Sequence, residues 1–343
     1  MSRGRPRAFV TRLLPEPAPS LLGEVFELCG NLGDRPLTSR EILEGVPGAS
    51  AIVCTLADRI DAAVLSAAGA ELRVVSNFAV GFDNIDVTAA TKRGVLVATT
   101  PDVLTEATAE LTWALILAAA RRVVEGDALV RSGRFTGWSP SLLLGKELTG
   151  GVLGIVGMGR IGRAVARRAA GFGMRVLYTR ISGPLPAEAV PGGEQWGFAA
   201  NLHALLASAD VVSLHVPLGP ETRHLISAPE LAAMKWDAIL VNAARGPVVD
   251  EAALAETLRQ GHLFAAALDV YENEPVITPG LEGLTNVVLL PHVGSATVAT
   301  RRKMAESAAR NAIAAVRGLP GVNAVNLQVP CVPPCARVDQ WRV

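Results

Sequence analysis

Residues 152–162 read VLGIVGMGRIG, an apolar run that leads directly into glycines with the spacing G-x-G-x-x-G. A helix-like segment follows to about Ala170, and a second apolar run ends near Thr179. The first glycine of such a turn permits the tight bend, the second lets backbone approach a pyrophosphate, and the third lets helix and strand pack closely. The helix N-terminus offers free N–H groups to phosphates. The stretch predicts a dinucleotide-binding βαβ unit, the alternative being a glycine turn without a ligand.

Short apolar runs at βαβ spacing extend this unit on its C-terminal side. With 152–156 they make six predicted strands, the others being 174–178, 210–215, 238–242, 266–270 and 286–290. Four further runs occupy the first hundred residues, at 8–11, 51–54, 73–76 and 95–98. Buried strands that alternate with helices indicate parallel sheets covered on both faces. The predicted fold class is therefore α/β, with a Rossmann cofactor domain and a flavodoxin-like, discontinuous substrate domain, each a doubly wound parallel sheet.

The chain length agrees with this division. Domains have about 150 residues on average, so the 343 residues correspond to roughly two domains. Two long amphipathic segments, about 102–130 and 296–317, lie between the strand sets and are predicted to cross between the domains. The predicted limits are 1–101 with 295–328 for the substrate domain, 102–294 for the NAD(P)-binding domain, and 329–343 for a flexible tail.

Charge and hydropathy exclude several kinds of partner. Lys+Arg and Asp+Glu both number 32, which argues against a protein that mainly holds nucleic acid or an anionic membrane surface. The mean hydropathy of +0.34 is high, but the longest apolar run of the first half, Trp113 to Ala120, is far shorter than the about 20 residues that span a bilayer. We predict a cytoplasmic protein that binds neither nucleic acid nor membrane.

The four cysteines suggest no metal centre. Cys54 follows an apolar run and is expected to be a buried small hydrophobe. Cys331 and Cys335 stand in a Pro-rich tail without a second ligand pair, so a zinc site there is only an alternative. The prediction is that the protein holds no metal.

The end of the second strand of the βαβ unit predicts which nicotinamide cofactor is bound. NAD sites usually carry Asp or Glu there for the adenine ribose, but residues 179–182 read TRIS and contain no acid. Arg180 favours a 2′-phosphate through its charge and its paired donors. We therefore predict NADP(H) as the preferred cofactor, with NAD(H) possible. The alternative is that Arg180 is a solvated surface residue and selectivity is mild.

Three polar residues follow predicted strands and are expected at one edge of the sheet, where parallel strands bind ligands. They are Arg245, Glu274 and His292. Taken singly, Arg245 has an ordinary role as a cap or ion pair, and Glu274 before Pro275 has one as a turn residue. His215 also ends a strand and is expected near the cofactor.

Six segments that run in order along about residues 7–328 carry a family resemblance. Besides the glycine turn they are NFAVGFDNID (77–86), TPDVLTEATAE (100–110), NAARGPVVD (242–250), ALDVYENEP (267–275) and PHVGSA (291–296). Through them the chain resembles the NAD(P)-dependent D-isomer-specific 2-hydroxyacid dehydrogenases, and among these the glyoxylate/hydroxypyruvate reductases. The resemblance implies reduction of glyoxylate or hydroxypyruvate to glycolate or D-glycerate by hydride transfer.

The resemblance also implies catalytic roles. His292 supplies the proton to the carbonyl oxygen, because the ordinary pKa of histidine lies near neutral pH. Glu274 orients the imidazole and favours its protonated form. Arg245 clamps the substrate carboxylate and polarises the carbonyl. Backbone N–H groups around Val80 and Gly81 resemble the family's second carboxylate cradle, so the predicted substrate-binding set is Val80, Gly81, Arg245 and His292.

The implied cofactor contacts combine the glycine turn with several strand ends. Asp269 is expected to accept a hydrogen bond from the nicotinamide amide, the alternative being a helix or turn cap. Thr105 either approaches the phosphates or caps the helix that follows it. The full predicted set is Thr105, Gly157, Met158, Gly159, Arg160, Ile161, Gly162, Thr179, Arg180, Ile181, His215, Pro217, Ala243, Ala244, Asp269 and Gly294.

Relatives with other functions define the alternatives. Phosphite-oxidising relatives carry lysine where this chain has Val80, and formate-oxidising relatives carry glutamine where it has Glu274, so both positions favour a small 2-oxo or 2-hydroxy acid substrate. A larger 2-oxo acid and a cofactor-sensing, corepressor-like binding protein stay open as alternatives. Trp138 lies in the region that forms an intersubunit arm in relatives, which implies a homodimer; a core tryptophan is the other interpretation.

Overall fold

The chain forms two compact units in the computed structural model, which describes residues 4–190, 196–319 and 323–329. One unit combines Met1–Leu104 with Ala296–Val343, and the other is Thr105–Ser295. The predicted boundaries, 101/102 and 294/295, lie three residues and one residue from these limits (104 against 101, 295 against 294). Except for Val329, the predicted tail with Cys331 and Cys335 lies outside the described residues.

The first unit is built on a parallel sheet. Over the described residues its five strands have the order β2-β1-β3-β4-β5, which is the flavodoxin-like order. All residues of β4 and β5 are buried, as expected for a sheet covered on both faces. The strands are β1 (Arg7–Val10), β2 (Glu27–Gly30), β3 (Ala49–Cys54), β4 (Val74–Asn77) and β5 (Leu96–Ala98), and the helices are α1 (Ala18–Val25), α2 (Ser39–Gly45), α3 (Ala62–Ala68), α4 (Val87–Lys92) and α11 (Val298–Arg317).

Local sequence explains how these helices begin. Thr38 and Glu41 form a capping box at α2, and Asp61 and Asp86 accept backbone N–H groups at the starts of α3 and α4. Such side chains satisfy N–H groups that have no partner inside the helix. Cys54 is 1% exposed in β3, which confirms its expected burial.

The last long helix packs on the sheet formed by the first hundred residues. The Ser76 hydroxyl donates to the Ala308 carbonyl at 2.8 Å, and the Asn311 amide donates to the Thr99 carbonyl at 2.8 Å. Both donors and both acceptors belong to the first unit. These contacts join two stretches that are far apart in the sequence, so the first unit is discontinuous.

The second unit has a larger parallel sheet. Its seven strands, over the described residues, have the order β12-β11-β10-β9-β6-β7-β8. The strands β8-β7-β6-β9-β10-β11 follow the doubly wound order of dinucleotide-binding sheets, and β12 is one further strand at the edge. The strands are β6 (Val152–Val156), β7 (Arg175–Thr179), β8 (Trp196–Phe198), β9 (Val211–Leu214), β10 (Ile239–Asn242), β11 (Ala265–Leu268) and β12 (Val287–Leu289). The helices are α5 (Thr105–Ala120), α6 (Val123–Arg131), α7 (Arg160–Ala169), α8 (Leu202–Ser208), α9 (Ala228–Ala233) and α10 (Glu251–Arg259), with 3₁₀ turns at Ala170–Phe172, Ala187–Ala189 and Gly246–Val248.

The prediction of one amphipathic segment over 102–130 is wrong. Two helices occupy this region, and they are separated at Arg122, whose φ of 53° is left-handed. The first of them, α5, buries residues on most of its sides, including Trp113, which donates to the Val165 carbonyl at 3.0 Å and stacks on Phe172. A helix that is apolar on nearly all sides belongs in a core rather than at a surface.

None of the helices in the described ranges combines the length and the apolar character that crossing a bilayer requires.

Candidate active site

The glycine turn joins the ends of three neighbouring strands. Gly157 has a φ of +97°, and a Cβ on it would lie 2.6 Å from the His215 carbonyl oxygen. Its N–H donates to the Thr179 carbonyl at 3.0 Å. A Cβ on Gly162 would lie 2.3 Å from the Gly157 carbonyl oxygen. The first and third glycines are therefore required by the protein's own packing.

The second glycine is different. Gly159 precedes α7 as its N-cap without any side-chain cap, and a Cβ built on it would meet no atom of the described residues within 4 Å. The chain itself therefore does not require glycine here, whereas a pyrophosphate close to the backbone does. The N–H groups of the first turn of α7 suit an anion. These residues fit a dinucleotide. Met158 is only 3% exposed, so its side chain is part of the core and only its backbone faces the turn.

The contrast between two glycines predicts separable effects. Gly159→Ala is expected to lower the melting temperature by about 3 °C at most, the cost of alanine at an N-cap, and to weaken NADPH binding about tenfold or more. Gly162→Ala is the matched control and is expected to lower the melting temperature by about 5 °C or more, because its Cβ has no room. Thermal unfolding and cofactor titration by fluorescence measure the two effects. Normal NADPH affinity in folded Gly159→Ala would contradict a pyrophosphate at this turn.

The end of β7 carries Thr179, Arg180 and Ile181. The Arg180 Nε donates to the Ser182 hydroxyl at 2.6 Å, and Ile181 is 89% exposed. Arg180 is only partly exposed, and its contact with Ser182 holds it beside the strand end. No acid occupies 179–182, so the arrangement presents a cation and an apolar side chain to any ligand at this edge.

His215 directly follows β9 beside the glycine turn. Its Nε2 lies 2.8 Å from the Ser213 hydroxyl, and burial lowers the pKa of His215 to about 4. The ring is therefore neutral at pH 7 and unsuited to donate a proton there. The carbonyl of Pro217 accepts a hydrogen bond from the Thr222 hydroxyl at 2.7 Å, which shapes the same loop.

Asp269 directly follows β11 and holds the backbone around His292. Its two carboxylate oxygens accept the N–H groups of Val293 and Gly294 at 2.7 and 2.8 Å. Burial raises the pKa of Asp269, while these hydrogen bonds and the charge of His292 act against that rise. Asp269 therefore caps the turn at Val293 and Gly294, whereas a contact from Asp269 to a nicotinamide stays a prediction. His292 has a φ of 56°, a conformation that such anchoring has to maintain.

The structure brings Glu274 and His292 together. Nδ1 of His292 lies 2.9 Å from Oε2 and 3.2 Å from Oε1 of Glu274. Oε1 also accepts the N–H of Tyr271 at 3.1 Å. Burial acts to raise the pKa of Glu274, but hydrogen bonding with His292, the Tyr271 N–H and the charge of Arg245 outweigh it, so the net pKa is lowered. Glu274 is therefore held as a carboxylate beside the His292 ring.

Arg245 lies on the loop that follows β10, close enough to Glu274 for its charge to lower that pKa. Its Nη1 donates to the Ala244 carbonyl at 2.8 Å. Asn242 shapes the loop, since its amide donates to the Arg245 carbonyl at 2.9 Å and its oxygen accepts the Ala244 N–H at 3.1 Å. Ala243 and Ala244 are partly buried in the same turn.

Sequence reasoning missed several residues that shape this site. A Cβ on Gly246 would lie 1.8 Å from the Tyr271 carbonyl carbon, so only glycine allows the Arg245 loop to meet the Glu274 loop. Glu251 is 1% exposed and accepts the Glu272 N–H at 2.8 Å. The sequence gives only two signals for these residues: Gly246 directly follows Arg245, and Glu251 is an acid at the start of a helix. Neither signal shows which residue the glycine or the acid contacts.

Val80 and Gly81 belong to the first unit, on the loop after β4. The amide of Asn77 donates to the Gly81 carbonyl at 2.9 Å and to Asn84 at 3.0 Å. Asn77 is fully buried, so this loop has a fixed support, and Val80 is 36% exposed. A role for the loop in binding a carboxylate stays a prediction.

Two alternatives from the sequence are resolved in part. Thr105 is the first residue of α5 rather than the residue before it, so the interpretation as an N-cap is wrong. Trp138 is 83% exposed, so the interpretation as a core tryptophan is also wrong. No cluster of metal-ligating side chains occurs among the residues described.

Taken together, the dinucleotide-binding sheet and the braced imidazole beside an arginine define a nicotinamide-dependent oxidoreductase. A family model described as D-isomer specific 2-hydroxyacid dehydrogenase, NAD binding domain, matches residues 113–294. A glyoxylate reductase of Korarchaeum cryptofilum is 48% identical over 338 residues, which cover 96% of this chain and 98% of that protein. The chain belongs to the D-isomer specific 2-hydroxyacid dehydrogenase family.

Solved structures agree with this assignment. A protein of Thermus thermophilus superposes with a TM-score of 0.84 at 49% identity, and the match covers 93% of this chain and 99% of that one. An NADPH-dependent glyoxylate/hydroxypyruvate reductase of Sinorhizobium meliloti, in complex with NADP and malonate, has a TM-score of 0.81 at 31% identity, with 98% of each chain covered. The predicted family and fold class are thereby confirmed.

Proposed function

We propose that this protein reduces glyoxylate and hydroxypyruvate to glycolate and D-glycerate. The observation that carries the proposal is the contact of His292 with Glu274 at 2.9 Å, with the charge of Arg245 acting on the same carboxylate. A proton donor and a carboxylate-binding cation at one place suit a 2-oxo acid, which carries both a carbonyl and a carboxylate. The nearly full-length similarity to a protein named glyoxylate reductase supports the choice of substrate.

His292 is the proton donor in this proposal. Its Nδ1 faces Glu274, so its Nε2 is the ring nitrogen that remains to face a substrate oxygen. Reduction of the carbonyl requires a proton on that oxygen, and a carboxylate beside an imidazole stabilises the protonated form of the ring. In the reverse direction the neutral ring accepts the proton back.

Arg245 binds the substrate carboxylate. Its Nη1 contact with the Ala244 carbonyl holds the guanidinium on its loop, and a guanidinium carries five N–H donors in a planar fork. Paired donors on a carboxylate fix the orientation of the substrate and draw charge from its carbonyl. The backbone N–H groups around Val80 and Gly81 are proposed to bind a carboxylate.

The residues of the second unit are proposed to hold NADP(H), with NAD(H) as a weaker alternative. When bound, this cofactor supplies the hydride. Gly159 and the start of α7 receive the pyrophosphate, Asp269 orients the nicotinamide amide, and Arg180 faces the 2′-phosphate. The NADPH-dependent relative from Sinorhizobium meliloti supports this choice, as does the absence of an acid from residues 179–182.

Arg180→Asp is expected to shift the ratio of kcat/KM values from NADPH toward NADH by about tenfold or more, because a carboxylate repels the 2′-phosphate. Arg175→Asp is the matched control, since Arg175 is exposed at the opposite end of β7. Its ratio is expected to equal that of the native protein. An unchanged ratio in Arg180→Asp would show that Arg180 does not select the cofactor.

A panel of 2-oxo acids, assayed with NADPH and with NADH, tests the proposed function. Glyoxylate and hydroxypyruvate are expected to give the highest kcat/KM, with D-glycerate as the product from hydroxypyruvate. A larger 2-oxo acid as the best substrate would replace the proposed pair. Cofactor binding without turnover of any 2-oxo acid would support the corepressor-like alternative.

We also propose a homodimer and a cytoplasmic location. Exposed apolar side chains at the end of α6 and in the segment that follows it support a second copy as a partner, namely Val130 on the helix and Phe135, Trp138 and Leu144 after it. Light scattering that gave the mass of one chain would contradict the dimer.

A further inference from the structure

Glu251 is a buried carboxylate that faces the loop carrying Glu274. It is the first residue of α10 and is 1% exposed. One of its oxygens accepts the Glu272 N–H at 2.8 Å, and the other accepts the hydroxyl of Thr278. Both oxygens are therefore used by the segment 272–278, and Glu274 lies between the two points of attachment.

A carboxylate in this position needs these partners. Burial raises the pKa of Glu251, whereas the hydrogen bonds from Thr278 and from the Glu272 N–H favour its charged form. A carboxylate in the first turn of a helix is also stabilised by the helix dipole. Because leaving a buried polar group unpaired is costly, the loop and the helix start hold each other in place.

The other side of Glu274 is anchored as well. The Tyr271 N–H donates to Glu274 Oε1 at 3.1 Å, and the Tyr271 hydroxyl donates to the Leu290 carbonyl at 2.8 Å, two residues before His292. Glu251 therefore supports the C-terminal side of Glu274, and Tyr271 links its N-terminal side to the strand that leads to His292.

The same loop meets the loop of Arg245. Gly246 packs directly on the Tyr271 backbone. The His224 ring contacts the Glu272 carboxylate, and the His224 backbone N–H donates to the Pro247 carbonyl at 2.7 Å. A displacement of the segment 272–278 would thus move Glu274 relative to both His292 and Arg245.

We propose that Glu251 is a positioning residue for the reaction: by holding the segment 272–278, it places the Glu274 carboxylate against His292. The link to turnover rests on the proposed function, whereas the link to the His292–Glu274 contact does not. Glu251 touches neither substrate nor cofactor in this proposal and acts only through Glu274.

Two replacements of Glu251 separate its hydrogen bonds from its charge. Glu251→Met removes both acceptors at similar size, whereas Glu251→Gln can accept the Glu272 N–H and donate to the Thr278 oxygen. Thr278→Val and Thr278→Ser form a milder pair that removes or keeps the hydroxyl, in case Glu251→Met does not fold. Glu256→Met is the surface control, because Glu256 is exposed on the same helix and contacts its helix neighbours Arg259 and Gln260.

The first readout is the titration of the His292 ring, followed by NMR in the whole protein without substrate and assigned with His292→Gln. Glu251→Met and Thr278→Val are expected to move its midpoint to lower pH by about half a pH unit or more, because a displaced carboxylate favours the imidazolium less. Glu251→Gln, Thr278→Ser and Glu256→Met are expected to keep the native midpoint. A native midpoint in folded Thr278→Val and Glu251→Met would overturn the proposal.

The second readout is glyoxylate reduction. Glu251→Met is expected to lower kcat about 10- to 100-fold with the KM for NADPH nearly unchanged, and Glu251→Gln is expected to restore it. Equal kcat values in the native protein, in Glu251→Met and in Thr278→Val would overturn the positioning role. If the native protein reduces no 2-oxo acid, the proposed function fails, while the midpoint of the His292 titration still decides the role of Glu251.

Discussion

His292→Ala is expected to lower kcat for glyoxylate reduction by about 10²- to 10⁴-fold, because the carbonyl oxygen loses its proton donor. A loss of 10³ corresponds to about 4 kcal/mol of transition-state stabilisation. Binding of NADPH is expected to stay near native, since the ring is held by Glu274 and not by the glycine turn. Steady-state kinetics and cofactor titration measure the two quantities.

Two other histidines serve as controls for this prediction. His203 is exposed at the start of α8, and His203→Ala is expected to keep native turnover. His215 is neutral because burial lowers its pKa to about 4, so His215→Gln is expected to affect cofactor binding more than proton transfer. Unchanged kcat in His292→Ala would remove His292 from the mechanism.

Arg245→Ala is expected to lower kcat/KM for glyoxylate by about 10³-fold or more, because the substrate loses its carboxylate partner and the polarisation of its carbonyl. Arg245→Lys keeps the charge but loses the planar pair of donors, so it is expected to recover only part of the loss. The KM for NADPH should change little in either variant. Kinetics with glyoxylate and NADPH varied in turn separate the two effects.

Arg310→Ala is the control for the removal of an arginine, since Arg310 is exposed on α11 and pairs with Glu306. It is expected to behave as the native protein. A lower kcat with an unchanged KM for glyoxylate in Arg245→Ala would point to a role in the transition state alone. Native kcat/KM in that variant would contradict the carboxylate clamp.

Much of the fold is readable from local sequence. The run before Gly157 and the apolar runs at βαβ spacing predict the strands that carry the site, because buried parallel strands leave little room for polar residues. The strands β2 and β8 do not follow this pattern and were not predicted. Each pairs with a single neighbour at a sheet edge, and residues such as Glu27 and Gly197 interrupt their apolar character.

The helix α5 shows a different limit. Its sequence suggests one long amphipathic helix through 130, yet tertiary packing buries most of its sides and the chain turns at Arg122. Which faces of an Ala- and Leu-rich helix are covered depends on neighbours that are distant in sequence, such as Val165 and Phe172. Periodicity alone does not supply that information.

The candidate site was predictable where residues stand in recognisable segments, as do Arg245, Glu274 and His292. The contacts that orient them were not, because Gly246, Glu251 and Asn242 act through backbone groups that the sequence does not mark. Every residue except proline has a backbone N–H, so the sequence does not show which of them a buried carboxylate binds. Only the three-dimensional structure shows it.

The pH dependence of both reaction directions tests the central claim, that His292 braced by Glu274 carries the proton, most directly. Because the pKa of Glu274 is lowered, its carboxylate stays charged from below its ordinary pKa upward, and the imidazole is the member of this pair whose residue type ordinarily titrates near neutral pH. In the native protein kcat/KM for hydroxypyruvate reduction is therefore expected to fall as the pH rises through neutrality, while kcat/KM for D-glycerate oxidation rises over the same interval. Parallel profiles in the two directions, or profiles without a transition near neutral pH, would contradict the account.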